Sequence, residues 1–307
     1  MRKKYITLSL ITILSSATML QANDVKSSPE TTLSDLNQSS KKTDTLLATV
    51  NGHKIWESYF DKSFSKLSPE KKNRTINNIV DAELLVQYAS KQPLFKDKQL
   101  QEKVKSDGEK LKSQGKKFTE QDYRMVLGLK VINHLAESFA KKSITDEELK
   151  EYYNKRKKNF KNLPFVDYIV ATLNSKEDAE KILKAMKKAK KSEQKETFLK
   201  LTKKYTTEKS KIDVNREYKF GVPRTPFTAN LFQLKKGSYT QKPIEMPNKT
   251  YKLIYCTDKG ELTKAPTEKD LKKNIRFIVE YKKKLDWVHN KIEELKKEAK
   301  IKIEKKF

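Results

Sequence analysis

Cysteine is nearly absent: Cys256 stands alone among 307 residues, so no internal disulfide can staple the chain and its stability must come from packing. Histidine is almost as scarce. His53, His134 and His289 lie far apart, none at a metal-ligand spacing with Cys256 or with carboxylates, so no metal site is expected and each reads as structural or exposed. The 7 glycines form no phosphate-cradling loop and no Gly-x-Ser-x-Gly elbow, which leaves nucleotide and hydrolase chemistry unsupported and no cofactor expected. With no histidine in its own segment, Cys256 reads as a buried, inert thiol. Long apolar runs are also missing, since nothing after the first residues approaches the roughly 18 apolar residues of a spanning helix.

What is present begins with Arg2, Lys3 and Lys4 before an apolar stretch from Ile6 to Leu14 and the small residues Ser15, Ser16 and Ala17. That is the layout of a cleavable secretory signal, assigned to residues 1–22, with cleavage after Ala17 or Ala22. Export to the periplasm, or secretion, is the expectation. With no cysteine following the signal for lipid attachment, the mature chain is expected to be soluble and without a transmembrane segment. The formal charge is +28, and removing the three basic residues of the signal leaves +25. Such a charge first suggests nucleic acid. Export argues against that partner, and the 40 Asp and Glu are interleaved with the lysines, so much of the charge reads as solvated helix face.

Residues 23–45 are polar with isolated apolar positions, too few to offset the entropy of ordering, and read as a flexible tether. Order is expected from Leu46, where LLATVNGHKI alternates around Asn51-Gly52, a strong hairpin signal. From Ser68 the period becomes helical: Pro69 suits a first turn, and Ile76, Val80, Leu84 and Tyr88 recur at four-residue spacing. Leu127, Val131, Leu135 and Phe139 make a second stripe, and Thr145 to Glu148 is a capping box for a further helix.

Between Pro164 and Pro266 the composition shifts, with six of the nine prolines and short β-branched and aromatic runs. Phe165–Leu173 suits a central strand, 175–190 and 196–205 read as helices, and 241–246 with 250–257 as a hairpin placing Tyr251, Leu253 and Tyr255 on one face. Thr267 to Asp270 caps a long helix with apolar Leu271, Ile275, Ile278, Leu285, Val288, Ile292 and Leu295. That stripe needs cover. The chain is therefore expected to be mainly α with an inserted α+β domain: 46–163 and 266–307 build one helical domain, the closing helix folding onto the N-terminal helices, and 164–265 is the insert.

This order resembles the SurA/PrsA class of exported parvulin-type foldases. FVDYIV is similar to the parvulin first strand, FLKLTKKYT to its second-helix segment, and LFQLKKGSYTQKPIEMPNKTYKLIYCTDK to its closing hairpin. The family places a histidine in the first strand and another in the last, and the matching positions here are Tyr168 and Lys252. The glycine-rich turn is reduced to Phe220-Gly221, and the segment leading to the pocket phenylalanine is shortened to Arg224-Thr225-Pro226-Phe227.

Rotating an X-Pro bond breaks no bond; a site lowers the roughly 18–20 kcal/mol barrier by holding the twisted amide better than the planar one. The resemblance implies a proline pocket lined by Phe227, Leu231 and Phe232, with Tyr168 as a hydroxyl donor and Lys252 as a cation; the alternative is that these aromatics fill a small core. The leading expectation is a client-binding chaperone whose apolar cleft, including Ile278 on the closing helix, holds unfolded or exported polypeptides such as outer-membrane proteins, with weak or absent isomerase activity. An active prolyl isomerase and a basic protein that binds an anionic envelope surface are the two alternatives.

Overall fold

A computed structural model describes residues 44–60, 63–205 and 212–307; the expected signal and the tether up to residue 43 lie outside them. The chain divides into two compact units, one of residues up to Ser143 together with Tyr281–Phe307, the other of Ile144–Glu280.

The first unit opens with β1 (Leu46–Val50) and β2 (His53–Trp56), an antiparallel hairpin. Asn51 and Gly52 turn it at φ of 50° and 85°, the left-handed conformation that asparagine and glycine adopt most readily. α1 (Pro69–Ser90) follows with proline in its first turn, then α2 (Lys98–Ser113), whose N-cap Asp97 accepts from the Leu100 amide, and α3 (Glu120–Ser143). α1 uses two stripes. Ile76, Val80 and Leu84 close over Leu47, Val50 and Ile55 of the hairpin, whereas Leu85 and Ala89 meet Val131, Ile132 and Ala136 of α3. Each large aliphatic side chain buried in this way contributes about 1.5–3 kcal/mol.

The second unit begins with α4 (Asp146–Arg156), started by the reciprocal Thr145–Glu148 capping box. β3 (Pro164–Leu173), α5 (Lys176–Lys188), α6 (Gln194–Tyr205), β4 (Ile212–Tyr218), α7 (Pro226–Gln233), β5 (Ile244–Glu245) and β6 (Tyr251–Glu261) follow. The strands form an antiparallel sheet in the order β4-β3-β6-β5. β3 is interior, which explains why both its faces are apolar. Ile169, Ala171 and Leu173 lie with Leu253 and Tyr255 under α5 and α6, which supply Ala179, Ile182, Met186 and Phe198. Val166, Tyr168 and Val170 face the other way, toward Leu231 of α7. Between Asp167 and Tyr168 the register shifts, their partners Asp258 and Cys256 leaving Thr257 of β6 as an extra residue, a bulge in that strand.

The last elements are α8 (Glu268–Glu298) and β7 (Ile301–Ile303). α8 serves each unit with a different stretch. Val288 and Ile292 pack on α1 and α3. Leu271, Ile275 and Val279 instead share a core with Leu149, Tyr153, Phe160, Leu163 and Tyr218, which corrects the expectation that the whole helix folds onto the N-terminal helices. The cause is local: the Tyr153 hydroxyl donates to Pro266 O at 3.0 Å, holding the start of α8 against α4. The second unit accordingly takes in Ile144–Glu280, more than the proline-rich 164–265. The C-terminal segment also departs from a helix carried to 307, because Ile301–Ile303 pairs antiparallel with β1 in the order β2-β1-β7.

Candidate functional site

The second face of the sheet places most of the sequence-derived site residues together. Thr225 starts α7 with a capping box, its hydroxyl accepting from Thr228 N at 3.1 Å while Thr225 N donates to Thr228 Oγ1 at 3.0 Å. Pro226 occupies the first turn. At the other end of α7, Lys259 Nζ from β6 donates to Phe232 O at 2.7 Å and Leu234 O at 2.9 Å, satisfying carbonyls the helix leaves free. The helix is thereby fixed over the sheet. Leu231 is fully buried against Val166, Tyr168, Val170, Ile244, Ile254 and Cys256, with Phe227, Phe232 and Met246 half-buried at the margin.

Phe227 stands between Tyr168 and Lys252. Its ring centroid is 5.9 Å from that of Tyr168 in an edge-on arrangement, and Lys252 Nζ lies 4.9 Å from the ring. Tyr168 pairs across the strands with Cys256, and Lys252 with Thr172. Tyr168 and Thr172 are four residues apart along β3, roughly 13 Å, so Tyr168 and Lys252 engage the phenyl ring from different sides.

Burial, with smaller contributions from Glu217 and Asp213, pushes the Tyr168 phenol up to about 12. It stays a neutral hydroxyl, able to donate a hydrogen bond but not to act as a base. Burial also pushes up the Cys256 thiol, whose Sγ–H donates to Asp258 O at 3.4 Å, so it is no ready nucleophile. Apolar surface, a phenol and a cation can bind a peptide segment. They do not make or break a bond.

Ile278 is not part of this cluster. It lies on α8 beside Gly221, where φ is +62° and an added Cβ would stand 2.5 Å from the Asn274 carbonyl oxygen and 2.9 Å from Ile278 Cδ1. Val170, Ile244 and Ile254 complete the apolar wall but were not singled out from sequence; the two-residue spacing of Val166, Tyr168 and Val170 on one face of the strand was the signal that could have found the first of them. Among the described residues no group of three or more His, Cys, Asp or Glu could hold a metal ion.

Residues 144–269 match the PPIC-type PPIASE domain family, the match starting at the residue that opens the second unit. The chain carries a parvulin-type domain. Solved structures similar to it include a SurA-like chaperone from Campylobacter jejuni (14% identity, 84% of this chain and 98% of that one, TM-score 0.43). The PrsA foldase of Lactococcus lactis (20%, 85% and 95%, 0.32) and PrsA of Bacillus subtilis (19%, 85% and 95%, 0.32) are similar too. No curated protein matches. Among the described residues of this parvulin-domain protein, no helix is long and apolar enough to cross a membrane.

Proposed function

We propose that this chain is an exported, periplasmic foldase of the SurA/PrsA kind that acts as a chaperone for unfolded polypeptides, outer-membrane proteins among them, with weak or absent prolyl isomerase activity. The observation that carries this reading is the pair of substituted positions in the parvulin domain. Where the family has two imidazoles, this domain has a buried, protonated phenol at Tyr168 and at Lys252 an ammonium resting on Phe227. The first unit offers a separate place for an extended client. An open cavity of about 400 Å³ lies between α2 and α3, with Leu94, Leu100 and Leu129 on its walls and two lysines, Lys103 and Lys130, and two acids, Asp97 and Glu137, among them. Apolar walls with mixed charges among them suit an extended chain segment that carries both greasy and polar residues.

The test pairs two assays on the full chain: suppression of aggregation of an unfolded client across a salt series, and acceleration of X-Pro exchange in a proline peptide. Suppression that survives moderate salt, with little exchange activity, is the expected result, because screening weakens exposed charges far more than apolar contact. Complete loss of suppression at moderate ionic strength would sink the apolar-cleft reading. The half-buried position of Phe227 favours a second reading, an active isomerase. Exchange rates comparable to an active parvulin, abolished by Phe227→Ala, would establish it.

A further inference from the structure

The parvulin domain holds a second concavity, built from elements other than the wall around Tyr168. An open cavity of about 610 Å³ lies between the end of α4 and the link from β6 to α8, lined by Lys157, Lys158, Lys161 and Lys264 with Asn154 and Thr263. The convergence of these lysines follows from what the same short segment buries. Phe160 is inserted in the core, stacked on Tyr153 with centroids 5.7 Å apart and edge-on to Phe220 at 4.8 Å, and Leu163 is buried behind it. With Phe160 inward, Lys157, Lys158 and Lys161 are left outside.

The frame is stiff. Asn162, at φ +62°, donates its N–H to Leu262 O at 3.1 Å, Leu262 N donates to Leu163 O at 3.1 Å, and Tyr153 OH reaches Pro266 O. These bonds tie the segment of Lys157, Lys158 and Lys161 to that of Lys264, so the four cations surround one hollow without a ligand having to order the backbone.

Their charge is not balanced locally. No carboxylate lines the cavity, and among the described residues none of the four ammonium groups is within ion-pair distance of one. Neighbouring lysines differ: Lys155 pairs with Glu151 four residues earlier, and Lys272 with Asp146 at 3.0 Å. Four like charges around a hollow focus a positive potential there, and an anion is what relieves it.

We propose that this cavity binds a compact anion bearing several phosphate groups, an assignment that does not depend on the chaperone reading. Lysine suits phosphate as a strong point charge with three donors, and four lysines exceed what a single phosphate needs. Asn154 and Thr263 add neutral hydrogen-bonding groups at the margin. The same chemistry could reach the protein free in solution or on a lipid headgroup, and the two arms of the experiment separate those sources.

In the first arm, inorganic tripolyphosphate is titrated calorimetrically into the full chain, into Lys157→Ala/Lys161→Ala/Lys264→Ala, and into Lys105→Ala/Lys116→Ala/Lys117→Ala. The last removes the same charge from exposed lysines of the other unit. Saturable binding that weakens about tenfold or more in the cavity triple and less than about twofold in the control is expected, since several ion contacts are lost together in one and only long-range field in the other. Circular dichroism melts confirm folding, and the single charge reversal Lys161→Glu is the second variant, expected to weaken binding likewise. In the second arm, the chain is co-sedimented with phosphatidylglycerol-containing vesicles. Sedimentation that the cavity triple abolishes identifies a headgroup as the source; tripolyphosphate binding without sedimentation identifies a soluble one. Absence of saturable tripolyphosphate binding to the unmodified chain, or equal weakening in both triples, overturns the proposal.

Discussion

Removing the Arg124 guanidinium should destabilise the first unit by about 3 kcal/mol. Its partner Glu83 lies on α1 with 1% of its side chain exposed, and Arg124 Nη1 and Nη2 each reach a Glu83 oxygen at 2.7 Å. Gln87 Nε2 donates to the same carboxylate at 2.8 Å and to Val50 O at 3.0 Å, so the charge sits in a network joining α1, α3 and the hairpin. The hydrogen bond to Glu83 is the main reason the Arg124 guanidinium is held above its ordinary range. Breaking a buried pair costs about 3–5 kcal/mol because a charge is left uncompensated, and 28% exposure of the arginine side chain puts this pair at the lower end. Arg124→Met is the perturbation. The chain's two tryptophans, Trp56 and Trp287, both belong to the first unit, so urea unfolding followed by tryptophan fluorescence reports on that unit. The double variant Glu83→Met/Arg124→Met should lose less than the single one, since it removes the stranded charge together with its partner. A loss below about 1 kcal/mol in the single variant, or a double variant no more stable than the single, would refute the reasoning.

In Gly221→Ala the new methyl would meet the Asn274 carbonyl at 2.5 Å on a backbone at φ +62°, so a loss of about 1–3 kcal/mol is expected in the second unit, measured by the near-ultraviolet circular dichroism of its tyrosines in urea. Unchanged unfolding would show that the loop moves freely away from α8. Asp81 carries a pH dependence of the less usual sign. Burial raises its carboxyl above the ordinary 3.8 even with Lys296 Nζ 2.6 Å from Oδ1, an ion pair whose approach lies outside hydrogen-bonding geometry. The folded state therefore takes up the proton at a higher pH than the unfolded one, and this group's contribution to stability grows as pH falls from neutrality toward 3.8. Relative to Asp81→Asn, the unmodified chain should gain stability along that descent, read from tryptophan-detected urea midpoints; a difference that stays flat with pH would count against it.

Much of the parvulin domain could be read from local signals. The capping boxes at Thr145 and Thr225 involve groups three residues apart, and β3 declares its interior place by being apolar on both faces. The capping at Thr225 was nevertheless not read, because its partner at the third helical position is Thr228 rather than an acid or amide. β4 was missed for another reason: its alternation is present in IDVNREY, but Val214 is 74% exposed, so the apolar positions do not mark a buried face. β7 is three residues long and finds its partner at Ala48↔Ile303, a pairing that no window along the chain contains. The division of α8 was equally invisible, since Leu271 and Val288 obey the same helical period and differ only in what they meet. At the candidate site, the identities of Tyr168, Lys252 and Phe227 were legible, but their arrangement around one ring required the fold. The lysine cavity shows the same limit. Net charge does not say which cations are paired, and Lys155 differs from Lys158 only through where Glu151 stands.

The pairing of β1 with β7 also fixes an order of events during synthesis. Everything in Ile144–Glu280 emerges ahead of Ile301–Ile303, from the ribosome and again on the far side of a membrane, so the parvulin domain can fold there while β1 still lacks its outer neighbour. The N-terminal hairpin, made first, is finished last, the reverse of the usual sequence in which N-terminal domains fold ahead of later ones. Until then its open edge offers unpaired backbone groups to any other strand. Two bonds from Asn73 to the Phe307 backbone, at 2.8 and 3.0 Å, then hold the last segment in place. A chain without Ile301–Ile303 would carry a folded second unit attached to a first unit with an exposed β edge, a product suited to misassociation with its own kind.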